Sequence, residues 1–443
     1  MDLGVFFALS MFAIFMIMIL IGYNVAFSFG VTGLAFSILG DLTDTFEPGR
    51  LALLPSNWFS AVSDQTLLAV PFFVLMGAIL EKSGLAERLL TTVGMLMGPL
   101  RGGVAAAVII VGTLLAAATG VVAATVIVMG ILSLPTMVRL GYDHKLATGA
   151  IVASGTLAQL VPPSLVLILL AQQMNISILG LFRGALLPGL LCAGLYVLYA
   201  LVVAFFKPEA APALPLEERS LRGAALLRQA LVAVVPPLLL IGAVLGSIFG
   251  GIATPSESGA VGALGAMVLA LSNRSLTREA LWASAKSTAN ITILVMTLLF
   301  ASSFFSVVFE GLGGQEQATA WLSGIGGGKT GFVIVAMIAV FILGINLEFL
   351  EITFIVVPIF VPAMLALNFT EAEFIWFTVL MAINLNMAFI SPPVGFSLFY
   401  LQSVAPPEVK TADIHKGAIP FMFLQGFALL LVAFIPGIAT WLV

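Results

Sequence analysis

The sequence predicts an all-α polytopic membrane protein, on three observations. Hydrophobic residues make up 61% of its 443 residues and charged ones only 9%, whereas a water-facing globule carries about 25% charged residues. Apolar runs of roughly 20 residues, the length that spans a bilayer core, recur along the whole chain. The two halves also match each other around paired prolines. Composition excludes much else. With 17 basic against 21 acidic residues, a net charge of −4 and no basic block, the chain offers nothing to nucleic acid. Cys192 is the one cysteine, and His144 and His415 are the two histidines, so disulfide frameworks and Cys/His metal clusters are out.

The first span falls near 3–23. Met1-Asp2-Leu3 places no positive charge before it, which reads as a span and not as a secretory signal. Further spans fall at 25–40, 64–80, 143–174, 177–206, 229–249, 254–272, 289–309, 372–404 and 416–442, about ten in all. Two other apolar stretches, 103–138 and 330–366, break at Thr119-Gly120 and at 344–348. Each half is then about 15 residues, roughly 22 Å of helix, too short for a comfortable crossing. Both are predicted as re-entrant hairpins. Segments 85–99 and 274–288 mix basic and apolar residues, as helices lying along a membrane surface do. Thr254-Pro255-Ser256-Glu257 reads as a capping box with proline at the first helical position, which gives Glu257 a structural role.

Charge sets the orientation. With ten crossings and two returning hairpins, Arg50, Arg183 and Lys329 fall on one side, and the other fourteen of the 17 basic residues, Arg222 among them, on the other. The positive-inside rule places the basic-rich side in the cytoplasm and both termini outside. Trp58, Trp282, Trp321, Trp376 and Trp441 all lie near span ends, as interfacial tryptophans do.

A polar stretch, 207–228, reads as a cytoplasmic linker between two comparable halves, 1–206 and 229–443. At an offset of 227, Pro135, Met137 and Leu140 fall on Pro362, Met364 and Leu367. At 230, Ser154, Thr156, Pro162 and Pro163 fall on Asn384, Asn386, Pro392 and Pro393. Each half holds five spans, an odd number, so the second copy is predicted to be inverted. Both Pro-Pro pairs sit inside long spans, where proline removes a backbone donor and clashes with the preceding turn. Unwound backbone at membrane depth survives only where protein buries it or where it lines a cavity. Its free carbonyls suit a hard cation, and the next half-helix N-terminus suits an anion. Ser154, Thr156, Ser164, Asn384, Asn386 and Ser391 supply small polar groups around the breaks. The plainer alternative is a kink that only shapes packing.

The run Leu114 to Thr125, then Pro135, Gly141-Tyr142-Asp143 and above all Ser154 to Ser164, resembles the large membrane subunit of tripartite ATP-independent periplasmic (TRAP) transporters. So do Pro71 to Gly77, Thr254 to Glu257, Val357 to Pro362 and Ser391 to Gly395. The matches run from about residue 25 to 420. The resemblance implies an inverted-repeat, elevator-type secondary transporter of the bacterial inner membrane, coupled to Na+ and needing no other cofactor. It also implies a small four-helix membrane subunit and a periplasmic binding protein that delivers an organic acid. Carried onto this sequence, one sodium site gathers Thr119, Gly120, Ser154, Gly155, Thr156 and Pro162. The other gathers Gly344, Asn346, Glu348, Asn384, Asn386 and Pro392. The substrate then sits between them, near Gln159, Ser164, Ser391 and Gly395. The chain departs from the family pattern at Val121-Val122, where another small hydroxyl is usual, and at Ala158-Gln159, where glycine and an apolar residue are usual.

The resemblance further implies alternating access, with the two hairpins and two broken helices moving against the remaining spans. A stand-alone ion-coupled carrier of organic anions is the alternative. Glu348 and Glu351, acids within a hairpin, are functional candidates by position, although capping would explain them equally. No nucleophile, base and oxyanion set accompanies them, so an enzyme is not expected. Ser323 to Thr330 imitates a phosphate-binding loop, but Ser323 replaces its first glycine and no strand precedes it.

Overall fold

The computed structural model describes residues 2–219 and 223–443; Met1 and linker residues 220–222, including Arg222, lie outside the described residues. The first half holds α1 (Leu3–Ile21), α2 (Val25–Leu42), α3 (Leu54–Val62), α4 (Gln65–Lys82), α5 (Leu85–Met97), α6 (Gly103–Thr119), α7 (Val122–Arg139), α8 (His144–Thr156), α9 (Leu165–Met174) and α10 (Ile178–Phe206). The second holds α11 (Gly223–Phe249), α12 (Pro255–Ser272), α13 (Arg278–Gly311), α14 (Gly314–Ser323), α15 (Gly328–Gly344), α16 (Phe349–Ile355), α17 (Val357–Ala366), α18 (Glu371–Phe389), α19 (Phe396–Gln402), α20 (Thr411–Phe434) and α21 (Gly437–Thr440). Among the described residues, nine helices are long and apolar enough to cross a membrane, or up to eleven if each of the two bent pairs, α14 with α15 and α16 with α17, is one span. That range includes the number ten read from the sequence but not the same ten: α7, read as a hairpin arm, is among the nine, and the stretches read at 143–174 and 254–272 are not.

Local chemistry explains where the helices begin. Asn24, Asp64, Asp143, Ser177 and Thr277 each turn a side-chain oxygen onto a backbone N–H of the first turn that follows, satisfying donors that a helix start leaves free. Thr254 and Glu257 form the capping box read from the sequence, and Thr370 and Glu373 form a second. A separate helix, α5, covers most of 85–99, but the 274–288 segment does not stand apart. It continues into the span at 289–309 as the 34-residue α13, about 51 Å long at 1.5 Å per residue. No proline and no internal glycine interrupts α13, so nothing breaks the backbone ladder where polarity changes.

α1, α2, α4, α5, α11, α12 and α13 pack as a frame, with α4 against α12 and α2 against α13 as its main seams. Phe15 stacks on Phe29 with ring centroids 4.3 Å apart, and both rings meet Phe305 of α13. Trp58 donates to the Phe300 carbonyl at 3.2 Å. The broken helices α8–α9 and α18–α19 form the interior of the other layer, together with α6–α7 and α15–α17. α10 and α20, which the sequence reading assigned to the frame, pack on this second layer instead. α20 lies along α8, where Gly149 and Gly417 bring the two backbones together, and it also meets α18. α10 lies against α6, α18 and α20.

The linker is fastened to one end of the molecule. Gly102 N–H donates to the Ala211 carbonyl, Asp143 N–H to Ala210, and Leu214 N–H to Gly98, each at 2.9 Å. Arg139 pairs with Glu218, and His144 lies 3.8 Å from Asp413. These contacts gather several loops of the basic-rich set at the same end.

Candidate functional site

The first hairpin is α6–α7. Gly120 closes α6 at φ +63°, a conformation that suits glycine, and its N–H returns to the Ala116 carbonyl. The Thr119 and Thr125 hydroxyls meet at 2.8 Å across the tip. A side chain on Gly120 would begin 3.2 Å from the Leu165 nitrogen and 3.7 Å from the Pro163 carbonyl, so the tip lies directly on the first break. α8 is clasped between the hairpin arms, with Ser154 against Gly112 of α6 and Gly155 against Val126 of α7. Gly120 thus meets Pro163 and Leu165 at the break, Ser154 and Gly155 face the hairpin arms, and the bonds of Thr156 go to Ala153 and to α20.

Every residue of this break is buried from Leu157 to Leu165, and the Pro162–Pro163 bond is cis. Ser164 spans the gap: its hydroxyl donates to the Gln159 carbonyl at 3.1 Å and accepts from Leu167 N–H at the start of α9. Thr156 donates to the Ala153 carbonyl and accepts from the amide of Gln425 on α20 at 3.3 Å. The Gln159 side chain is fully buried, and neither end of its amide has a partner.

The second hairpin runs α15, tip 345–348, α16 and α17. Phe332 and Phe360, each twelve residues from Gly344 or Glu348, have ring centroids 5.7 Å apart, so the two arms lie side by side. A carbon on Gly344 would meet Ala388 at 2.8 Å and Leu385 at 3.6 Å, which seats this tip on α18. Asn384 donates to the Met337 carbonyl of α15 at 2.6 Å. Asn386 is 1% exposed, and both ends of its amide lack partners. Glu348 caps α16 and exchanges hydrogen bonds with Glu351 in a capping box, and Tyr400 of α19 donates to Glu348 at 2.9 Å. This break is more open: Pro393 is exposed, Pro392 half-buried and, at the tip, Asn346 exposed. Ser391 and Gly395 are buried, joined by a Gly395 N–H to Ser391 carbonyl bond at 2.9 Å.

The two junctions interlock. α9, the second half of the first broken helix, packs on α16 and α17 of the second hairpin. α19, the second half of the other, packs on α7, where Gly130 meets Leu401 and Val404. Three polar residues escaped the sequence reading: Gln425, Ser397 and Tyr400. A glutamine inside an apolar span was a visible signal for Gln425, whereas Ser397, buried without a hydroxyl partner just past the break, carried none.

Chemically, such an interior suits a hard cation, which takes oxygen ligands from carbonyls, hydroxyls and amides. A buried polar group without a partner costs about 1–3 kcal/mol, and Gln159, Asn386 and Ser397 leave such groups at the two breaks.

Residues 12–438 match the family model described as the tripartite ATP-independent periplasmic transporter, DctM component. The chain is 30% identical over 414 residues to the C4-dicarboxylate TRAP transporter large permease protein DctM of Pseudomonas aeruginosa, covering 93% of this chain and 92% of that one. It is 27% identical over 450 residues to the protein of the same name from Vibrio cholerae, covering 96% and 95%. Its fold resembles the solved YdaH transporter of Alcanivorax borkumensis, with a TM-score of 0.60 at 14% identity and 88% coverage of each chain.

Proposed function

The chain belongs to the DctM-component family of tripartite ATP-independent periplasmic transporters, and from that premise we propose that it is the sodium-coupled permease importing an organic acid. It is a transport protein and no enzyme. The acid arrives on a periplasmic binding protein, and a small four-helix subunit completes the assembly in the bacterial inner membrane. The names of the two relatives favour a C4-dicarboxylate as the acid. Both termini face the periplasm on the charge asymmetry of the loops.

Sodium binds where each hairpin tip meets the broken helix of its own half: Thr119, Gly120, Ser154, Gly155, Thr156 and Pro162 at one junction, Gly344, Asn346, Glu348, Asn384, Asn386 and Pro392 at the other. The acid lies between, near Gln159, Ser164, Ser391 and Gly395. The observation that carries this reading is the pair of buried, unpartnered amides of Asn386 and Gln159, one at each break. The halves 1–206 and 229–443 act as inverted repeats about the linker 207–228. Hairpins and broken helices travel as one body, and α10 and α20 travel with them because they pack there. Each entering sodium is driven by about 2.3 kcal/mol per 100 mV of potential, plus its gradient.

The test is the melting temperature of the purified chain against sodium, with potassium and choline at matched ionic strength. The expected result is a saturable, sodium-specific rise, since a ligand of the native state stabilises it by mass action. A flat response to sodium would remove the coupling ion from the reading.

A further inference from the structure

At the basic-rich end, α10 and α20 part to leave a groove of about 330 Å³. Its walls are apolar, from Leu146, Val202, Val203, Phe206, Pro420 and Phe421, and Tyr199 lies along it. Lys145, Lys207 and Lys416 stand at its mouth, all exposed. A second recess, lined in part by Arg101, continues from it across Asp143, Phe206, Lys207 and Ala210. Among the described residues, none of the three lysines has a carboxylate within 4 Å. Two carboxylates line the recesses. Asp143 is engaged in capping α8, accepting from Lys145 N–H at 2.7 Å, and Glu209 lies in the outer recess only. The His144–Asp413 pair flanks the start of α8 and α20.

We propose that this groove holds an anionic phospholipid, its acyl chain along Val202, Val203 and Phe206 and its phosphate among Lys145, Lys207 and Lys416. The argument is complementarity of two kinds in one place. An apolar trough between membrane-crossing helices suits a hydrocarbon chain, and three ammonium groups without an ion-pair partner, against the single groove carboxylate of Asp143, suit a phosphodiester. Basic pockets between spans on the cytoplasmic side recognise lipid head groups in this way. Phe205 and Phe206, 79% and 75% exposed, extend the apolar surface to the level of the lysines. Because α8, α10 and α20 pack with the hairpins, the lipid would belong to the hairpin layer and not to the frame.

The test uses the full chain in detergent, titrated with dioleoylphosphatidylglycerol or dioleoylphosphatidylcholine, with bound lipid counted by native mass spectrometry and Tm followed in parallel. The expected result is a preference for the anionic lipid of about tenfold or more, given roughly 1 kcal/mol for each basic residue near an anionic surface. Lys145→Gln/Lys207→Gln/Lys416→Gln abolishes that preference, the arginine triple variant keeps it, and Lys82→Gln/Lys286→Gln leaves it unchanged. Equal binding of the two lipids would overturn the proposal, as would a glutamine triple variant that still prefers phosphatidylglycerol. Inorganic phosphate that raises Tm as much as the lipid does would show a phosphate site and overturn the lipid as occupant.

Discussion

The first junction is sealed and the second is open, although the same order of elements builds both. Around Thr119 and Thr156 the hydroxyls find partners, the break is buried throughout, and glycines bring backbone against backbone. Each junction keeps one buried amide without a partner, Gln159 at the first and Asn386 at the second, but at the second Asn346 and Pro393 also reach the surface, and Gly344 meets side chains instead. The difference teaches that matching motifs do not imply matching roles. One tip lies against backbone at Gly77 and at Pro163 to Leu165, and the other lies against side chains with Asn346 exposed.

The harshest test of that contrast is steric. A carbon on Gly77 of α4 would lie 2.5 Å from the Thr119 Cα and 2.8 Å from the Ala118 and Thr119 carbonyls. Gly77→Val should therefore cost at least the 1–3 kcal/mol typical of overpacking and abolish uptake. Gly344→Ala, which meets the Ala388 and Ile352 side chains, should cost less, as read by thermal unfolding. Equal losses would erase the distinction between the two tips.

Next come two substitutions expected to differ in sign. Asn386→Leu removes two unpartnered polar groups and should raise Tm without sodium, by roughly 1–3 kcal/mol of stability, while weakening the sodium-dependent rise. Thr156→Val strands the Gln425 amide and should lower Tm by a similar amount. Sodium titrations of both variants decide the point, and an Asn386→Leu protein that melts lower in the absence of sodium would contradict the open-junction reading.

How much of this was legible in the sequence depends on distance along the chain. Both breaks were readable because proline announces its own effect on the helix ladder, and the Glu257 capping box was readable because its partners lie three residues apart. The unity of α13 was hidden by polarity: the mixed 274–288 segment resembled a surface helix, yet backbone continuity follows from the absence of a breaker. Gln425 and Thr156 are separated by 269 residues, and no local pattern reports such a pairing. The packing of α10 and α20 is likewise tertiary, decided by small residues such as Gly149 and Gly417 that permit close approach.

A smaller effect is expected from Tyr400→Phe, which deletes the bond to Glu348 and leaves the capping box with Glu351 in place. The loss should be about 1 kcal/mol, since the carboxylate is only half-buried, with Tm as the measure. The gentlest comparison uses cysteine labelling in a Cys192→Ala background. Asn346→Cys should react with a soluble maleimide at least about tenfold faster than Thr119→Cys, because Asn346 is exposed and Thr119 is 5% exposed. Equal rates would mean that both tips are equally open.

Arg183 of α10 donates to the Phe249 carbonyl at the end of α11 at 2.7 Å, with its guanidinium over the Phe249 ring. That single side chain reaches from the hairpin layer to the frame, where α10 and α11 otherwise touch little. Any sliding of one layer past the other must release it, stripping a terminal carbonyl of its donor at the same moment. Arg183 is in that sense a clasp between the two layers.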